Sequence, residues 1–270
     1  MTNPAVILPD LIFFSYLSAM RKEKIAFLEQ SVLFFQVSGR FTIETASERM
    51  STNEGEMLLI RKNQLGELTK MPLNGKPYQT VVICLKEDLL RQIALEEQIE
   101  TGGKYTGPPN VLIPPNEFLR TFFHSIIPYI DRSDEKIAAT MGKLKIKEAV
   151  LLLLHCMPEL KDHLFDFSEP HKIDLEKFMN SNFHFNVPVE KFARLTGRSL
   201  AGFKRDFQRL FGIPPRQWLQ ERRLSEARRL IEKKNRKPSS IYLDLGFESL
   251  SHFSHSFKKK FGRAPSEWLL

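Results

Sequence analysis

Six positions of this 270-residue chain recur at a constant offset of fifty. Phe203, Phe207, Phe211, Gly212, Pro215 and Trp218 return as Phe253, Phe257, Phe261, Gly262, Pro265 and Trp268. The register extends back to Ser199-Leu200 and Ser249-Leu250. Unchanged internal spacing means that one supersecondary unit is used twice. Phenylalanines at i, i+4 and i+8 share one face of a helix, and the glycine that follows ends it. The phenylalanines, with Trp218 and Trp268, are therefore expected to form the core of the repeated unit.

The opposite face of each helix carries the chemistry. In the first copy it presents Leu200, Ala201, Lys204, Arg205 and Gln208, and in the second Ser251, His252, His255, Lys258 and Lys259. Ser199 and Ser249 open the two helices, suit a capping position and count with these faces as candidate DNA-binding residues. Each is preceded by a short helix ending at a glycine, 189–196 before Gly197 and 241–245 before Gly246. Helix, tight turn and second amphipathic helix make a helix-turn-helix unit, whose second helix enters the major groove of DNA. Between the copies, 217–234 reads as one charged helix with Trp218, Leu219, Leu224, Ala227, Leu230 and Ile231 on its buried side. At 1.5 Å per residue it spans about 27 Å, enough to set two reading helices in successive major-groove segments.

Charge follows the same division. The whole chain carries a net +8, but residues 171–270 hold 21 of the 40 Lys and Arg and only 10 of the 32 Asp and Glu. That half is therefore +11 and the remainder −3, which points to an anionic partner at the repeat. Arg205 and Lys204 are expected to contact bases, since arginine can bond guanine O6 and N7 together. Leu200 and Ala201 suit a thymine methyl group. Lys258, Lys259 and Lys260 suit phosphates, which carry little sequence information. His252 and His255 lie at i, i+3, but no third ligand is near, so a polar groove-facing patch is favoured over a metal pair. Arg222, Arg223, Arg228 and Arg229 read equally as a solvated face or as a surface for DNA or polymerase.

The pattern Ala193-x3-Gly197-x-Ser199-x3-Phe203-x3-Phe207-x4-Gly212-x2-Pro215 is followed by a second, Gly246-Phe247-x-Ser249-x3-Phe253-x3-Phe257-Lys258-x3-Gly262-x2-Pro265-Ser266-x-Trp268. Together they resemble the AraC/XylS family of bacterial transcriptional regulators over residues 173–270. The resemblance implies a seven-helix, two-part DNA-binding domain and an N-terminal cupin-type sensing or dimerisation barrel, and it favours activation through contact with RNA polymerase over repression. Three positions depart from the family pattern. Tyr242 stands where a small alanine is usual, Pro238 where an aliphatic residue is common, and His255 where an arginine often contacts DNA. The second copy is accordingly expected to grip phosphates more than read bases.

The first 116 residues read as β-rich, with strands expected at 32–37, 41–45, 57–61, 65–69 and 78–85 between turn signals. Short strands at this spacing suggest an antiparallel barrel or sandwich, and the barrel is the expectation adopted here. Residues 87–100 read as a helix and 101–115, with Gly102-Gly103 and two Pro-Pro pairs, as a loop. Two further helices are expected at 116–130 and 134–157. The second carries Leu144, Ala149, Leu151, Leu152 and Leu154, more apolar surface than a solvent-facing helix needs. Part of that surface is read as a homodimer interface. The expected fold is thus an α+β two-domain chain. Residues 1–168 form a cupin-like barrel with flanking helices at 116–157, and 169–270 an all-α double helix-turn-helix joined by helix 217–234.

Enzyme chemistry is argued against. All seven histidines lie at or after His124, so the β-rich region lacks the imidazoles that cupin-type metal catalysis usually needs. No Ser/His/Asp set, phosphate-binding glycine loop or diagnostic carboxylate pair appears. Neither a metal nor a cofactor is expected. Cys84 and Cys156 match no metal or redox spacing, so free thiols in a reducing compartment are expected. With no signal peptide and no apolar run long enough to span a bilayer, a cytoplasmic protein without a membrane partner is expected. Expected partners are double-stranded DNA, RNA polymerase, and a small-molecule or protein effector; Arg40, Arg61 and Lys62 read either as a meeting place for an acidic effector or, by default, as exposed surface charge. The rival readings are a cupin-type enzyme fused to a DNA-binding module and a nonspecific architectural DNA-binding protein.

Overall fold

The computed structural model describes residues 5–8, 11–25, 28–129, 135–168 and 172–269. The chain divides into two compact units, Met1–Ser168 and Glu169–Leu270. Residues 130 and 134, at the ends of two expected helices, lie outside the described residues. So do 169–171, on which the start of the second domain falls, and 270, the last residue of the family pattern.

The first unit is built on two antiparallel sheets. Strands β1 (Ala5–Leu8), β2 (Ile12–Leu17), β4 (Ser31–Ser38), β7 (Met57–Ile60), β9 (Tyr78–Leu85) and β10 (Asn110–Ile113) form a six-stranded sheet in the order β1-β2-β9-β4-β7-β10. Strands β3 (Arg21–Ile25), β5 (Arg40–Glu44), β6 (Arg49–Thr52) and β8 (Gly66–Met71) form a four-stranded sheet in the order β3-β8-β5-β6. The expected closed barrel is therefore corrected to two open sheets among the described residues. Closure would require an edge of one sheet to pair with an edge of the other, and none does. The edges are short, and β3 reads Arg-Lys-Glu-Lys-Ile, a charged sequence of the kind that blunts an edge against further pairing.

The central strands are apolar on consecutive residues because both faces of the larger sheet are covered. Val32, Phe34, Leu58, Ile60 and Tyr78 join Phe41, Ile43 and Leu68 of the smaller sheet in one buried layer. Leu33, Phe35, Met57, Leu59, Val81 and Ile83 point the other way, into a helical layer. Neighbouring rings show the alternation directly. Phe34 stacks on Phe41 at 4.8 Å between centroids, while Phe35 stacks on Phe123 at 4.7 Å.

That helical layer comprises α1 (Glu87–Glu96), α2 (Glu117–Ile126), α3 (Glu135–Cys156) and α4 (Lys161–Phe165). Asn116 caps α2, its side chain accepting hydrogen bonds from the amides of Phe118 and Leu119. Leu119, Phe122, Phe123 and Ile126 of α2 and Ile146, Ala149, Val150 and Leu153 of α3 bury against the sheet. Leu151, Leu152 and Leu154 are only half-buried, and Leu144 is 54% exposed. Phe118 of α2 is 62% exposed and meets His155 edge-on at 6.3 Å.

Residues 101–109 carry no regular structure but are held firmly. Asp166 accepts hydrogen bonds from Arg61, from the Tyr105 amide and from the amide and hydroxyl of Ser168. Burial pulls the Asp166 carboxyl upward, but these bonds outweigh it and hold it at about 2. His163 lies against the Tyr105 ring at 4.8 Å, and burial pushes its imidazole down to about 4.

The second unit comprises α5 (Leu175–Asn182), α6 (Val189–Leu195), α7 (Leu200–Phe211), α8 (Pro215–Lys234), α9 (Pro238–Ile241) and α10 (Leu250–Phe261), followed by a 3-10 turn at Pro265–Trp268. The second copy's leading helix is corrected by this arrangement. It spans only Pro238–Ile241, opened by a proline whose fixed φ suits a first helical position, and 242–245 continue as turns.

Candidate nucleic-acid interface

The repeated sequence folds into repeated geometry. In the first copy the Gly197 amide donates to the carbonyl of Arg194 and the Arg198 amide to that of Ala193. In the second, Gly246 donates to Leu243 and Phe247 to Tyr242, the same pair of bonds at the end of a helical turn. The side chains of Ser199 and Ser249 then cap α7 and α10, accepting from the amides of Gly202 and His252, each at 3.2 Å. Both helices end on a glycine in the left-handed conformation, Gly212 and Gly262.

Behind each helix runs the aromatic stripe. Phe203, Phe207, Phe253 and Phe257 are fully buried. Phe207 meets Trp218 edge-on at 5.6 Å, and Phe257 meets Trp268 edge-on at 6.2 Å. Phe211, Phe261 and the two tryptophans are half-buried. They therefore close the end of each unit and are not its interior, a correction to the expectation that the whole stripe is core.

The polar faces point to solvent. Ser199, Ala201, Lys204, Arg205 and Gln208 are exposed in the first copy and Leu200 is half-buried. Ser249, Ser251, His252, His255, Lys258 and Lys259 are exposed in the second. Among the described residues, the side chains of Lys204, Arg205, Lys258 and Lys259 have no hydrogen-bond or ion-pair partner. Gln208 turns its amide back to the Gly212 carbonyl at 2.7 Å, and His252 packs on the Phe247 ring at 5.9 Å. Arg216 joins His252 on the rim of a cleft of about 320 Å³ in this unit. Its position at the start of α8 carries no repeat signal, so sequence reasoning missed it.

The linker arginines behave differently. Arg222 lies over the Phe183 ring at 4.5 Å, and Arg228 lies over Trp268 at 4.6 Å while pairing with Glu232. Arg229 pairs with Glu226. Arg223 turns inward to backbone carbonyls. Lys260 also anchors to the linker, donating to the Glu221 carbonyl at 3.0 Å. In the first unit, Arg61 pairs with Asp166, Lys62 with Glu87 at 2.5 Å, and Arg40 with Asn53 at 3.0 Å. Among the described residues no group of three or more His, Cys, Asp or Glu gathers as a metal site, and no helix is long and apolar enough to cross a membrane.

Two helix-turn-helix units in tandem, each with a buried aromatic stripe behind an exposed cationic face, define the DNA-binding module of a transcriptional regulator. The ExsA N-terminal regulatory domain family matches residues 31–166, and a helix-turn-helix domain family matches residues 192–270. The chain belongs to the AraC family of transcriptional regulators, with an ExsA-type N-terminal regulatory domain. It is 32% identical over 227 residues to the HTH-type transcriptional regulator ExsA of Pseudomonas aeruginosa, covering 82% of this chain and 79% of that protein. It is 26% identical over 238 residues to the virulence regulon transcriptional activator VirF of Yersinia enterocolitica, covering 83% of each. An apo ToxT variant from Vibrio cholerae aligns over 97% of this chain and 98% of its own, at 16% identity and a TM-score of 0.47.

Proposed function

We propose that this chain is a sequence-specific transcriptional activator whose two reading helices, α7 and α10, enter successive major-groove segments. One observation carries the proposal. The side chains of Lys204, Arg205, Lys258 and Lys259 on the repeat's exposed face have no partner among the described residues, whereas Arg222, Arg223, Arg228 and Arg229 of the linker helix are engaged within the protein. Arg205 and Lys204 take bases, with Leu200 and Ala201 beside them for thymine methyl groups. Lys258 and Lys259 take phosphates, with Ser251, His252 and His255 before them on α10, facing the groove. Ser199, Ser249 and Gln208 support the face by closing the helix ends. Helix α8, at 20 residues and about 30 Å, supplies the separation.

The first unit supplies regulation. We read its two sheets, enclosing one apolar layer, as cupin-like in layering, and as the receiver of a small-molecule or protein effector. Leu144 and Phe118 fit self-association through the exposed side of α2 and α3. Activation through RNA polymerase in the cytoplasm is part of this proposal, in keeping with relatives that are transcriptional activators. The protein acts as a regulator and not as an enzyme, and it needs neither cofactor nor metal.

The deciding experiment is selection of bound fragments from random-sequence duplex DNA by the purified full-length chain. Recovery of a motif about two helical turns long, with two conserved segments, is the expected result. Recovery of no motif would support the architectural reading.

A further inference from the structure

The two copies of the repeat are tied together at one side chain. Arg223 projects from the linker helix α8 and donates from Nε to the Phe183 carbonyl at 2.8 Å and from Nη2 to the Phe185 carbonyl at 2.9 Å. Its Nη1 donates to the Gly246 carbonyl at 3.2 Å. Phe183 and Phe185 close the C-terminal end of α5 in the first half. Gly246 closes the turn that leads into the second reading helix. All three are backbone carbonyls in the turns that follow α5 and α9, and no carboxylate joins them on the guanidinium. Burial pushes the Arg223 guanidinium down to about 10, so the charge is retained at neutral pH.

The packing around this junction is tight. Gly246 has φ +80°, and a Cβ there would sit 2.6 Å from the His184 carbonyl oxygen and 3.0 Å from Arg223 Cζ. Only glycine satisfies both the left-handed backbone and that approach. Asn186 adds a second bond across the halves, donating from Nδ2 to Glu248 at 2.9 Å. A planar fork with donors at fixed angles can hold three carbonyls in one arrangement, which the point charge of a lysine cannot.

We infer that Arg223 sets the separation and angle of the two reading helices, and so determines which spacing between DNA segments the protein accepts. The residue is a positioning residue and touches no base. The inference rests on the reading of α7 and α10 as paired DNA-reading helices. Adding one base pair between the segments rotates the second by roughly 35° and carries it about 3.4 Å along the axis. A rigid pair loses simultaneous engagement, whereas a loosened pair keeps it.

The test uses the full-length chain and the two-segment duplex that the wild-type chain selects from random-sequence DNA. That duplex is also lengthened or shortened by one base pair between segments, or cut to one segment. The wild-type chain should lose about 10- to 100-fold in affinity on either spacing change. Arg223→Lys should bind the one-segment duplex as the wild type does, yet discriminate among spacings by no more than about threefold. Circular dichroism and a thermal melt establish that the variant is folded. If Arg223→Lys does not fold, Asn186→Ala, which removes the exposed bond across the halves, is expected to relax the spacing preference in the same direction. A folded variant that keeps the full wild-type spacing preference would overturn the inference. Failure of the wild-type chain to select any two-segment motif would instead remove the functional reading beneath it.

Discussion

The two helix-turn-helix copies share a scaffold and differ in almost everything displayed on it. Their caps, terminal glycines and phenylalanine stripes superimpose in sequence at an offset of fifty, and their turns make the same pair of hydrogen bonds. Their exposed faces do not repeat. The first carries Lys204 and Arg205 near the middle of its helix, and the second carries His252 and His255 and then a run of lysines near its end. The linker reaches the second copy through Arg223, Lys260 and Arg228, and the first half through Arg222 and Arg223. Where a duplicated unit keeps its interior and changes its surface, the interior reports the fold and the surface reports the division of labour.

Equal interiors should fail equally, and this is the largest effect expected. Phe207→Ala and Phe257→Ala each empty a fully buried site between aromatic neighbours, at a cost of about 3–5 kcal/mol. Urea denaturation followed by tryptophan fluorescence checks this. A cost below about 1 kcal/mol in one copy alone would break the equivalence of the two interiors. Next come the unequal faces. Arg205→Ala should cost about 1–3 kcal/mol on the selected site and relax the preference at one base pair. An equal loss on every duplex would reassign Arg205 to a phosphate.

The caps come next, and there the copies should agree again. Ser199→Ala and Ser249→Ala should each lower stability by about 1 kcal/mol, read from thermal melts, since each removes one amide acceptor at a helix start. The smallest effect belongs to the second face. Lys259→Ala should weaken binding evenly across sequences and lower the salt slope by about one. An unchanged slope would take Lys259 off the phosphate backbone.

Much of the second unit was legible in the sequence because its signals are local. A serine before a helix, phenylalanines four apart and a glycine after the last of them specify an element without reference to distant residues. The bonds of Arg223 and the ring contacts of Arg222 and Arg228 were not legible, because those partners lie far along the chain. Arg223 meets carbonyls at Phe183 and Gly246, and Arg228 meets Trp268. The first unit shows the same limit. The apolar strands β4, β7 and β9 announced themselves, but β3, with four charged residues in five, carries no strand pattern, and β10 sits in a stretch rich in proline and glycine. Whether the strands close into one barrel or stay as two sheets is decided by edge pairing, which no local pattern encodes.

The central claim is that the first reading helix selects bases sharply, while the second selects them more weakly and takes more of its hold from the backbone. A scan of every base-pair substitution across the selected duplex, with affinities measured at one fixed salt concentration, tests it most directly. Penalties of about 1–3 kcal/mol per position should gather under one segment, with a smaller but distinct set under the other. Arg205→Ala should flatten the steep segment and leave the other untouched. Two equally steep segments, or a steep one that survives Arg205→Ala unchanged, would contradict the claim.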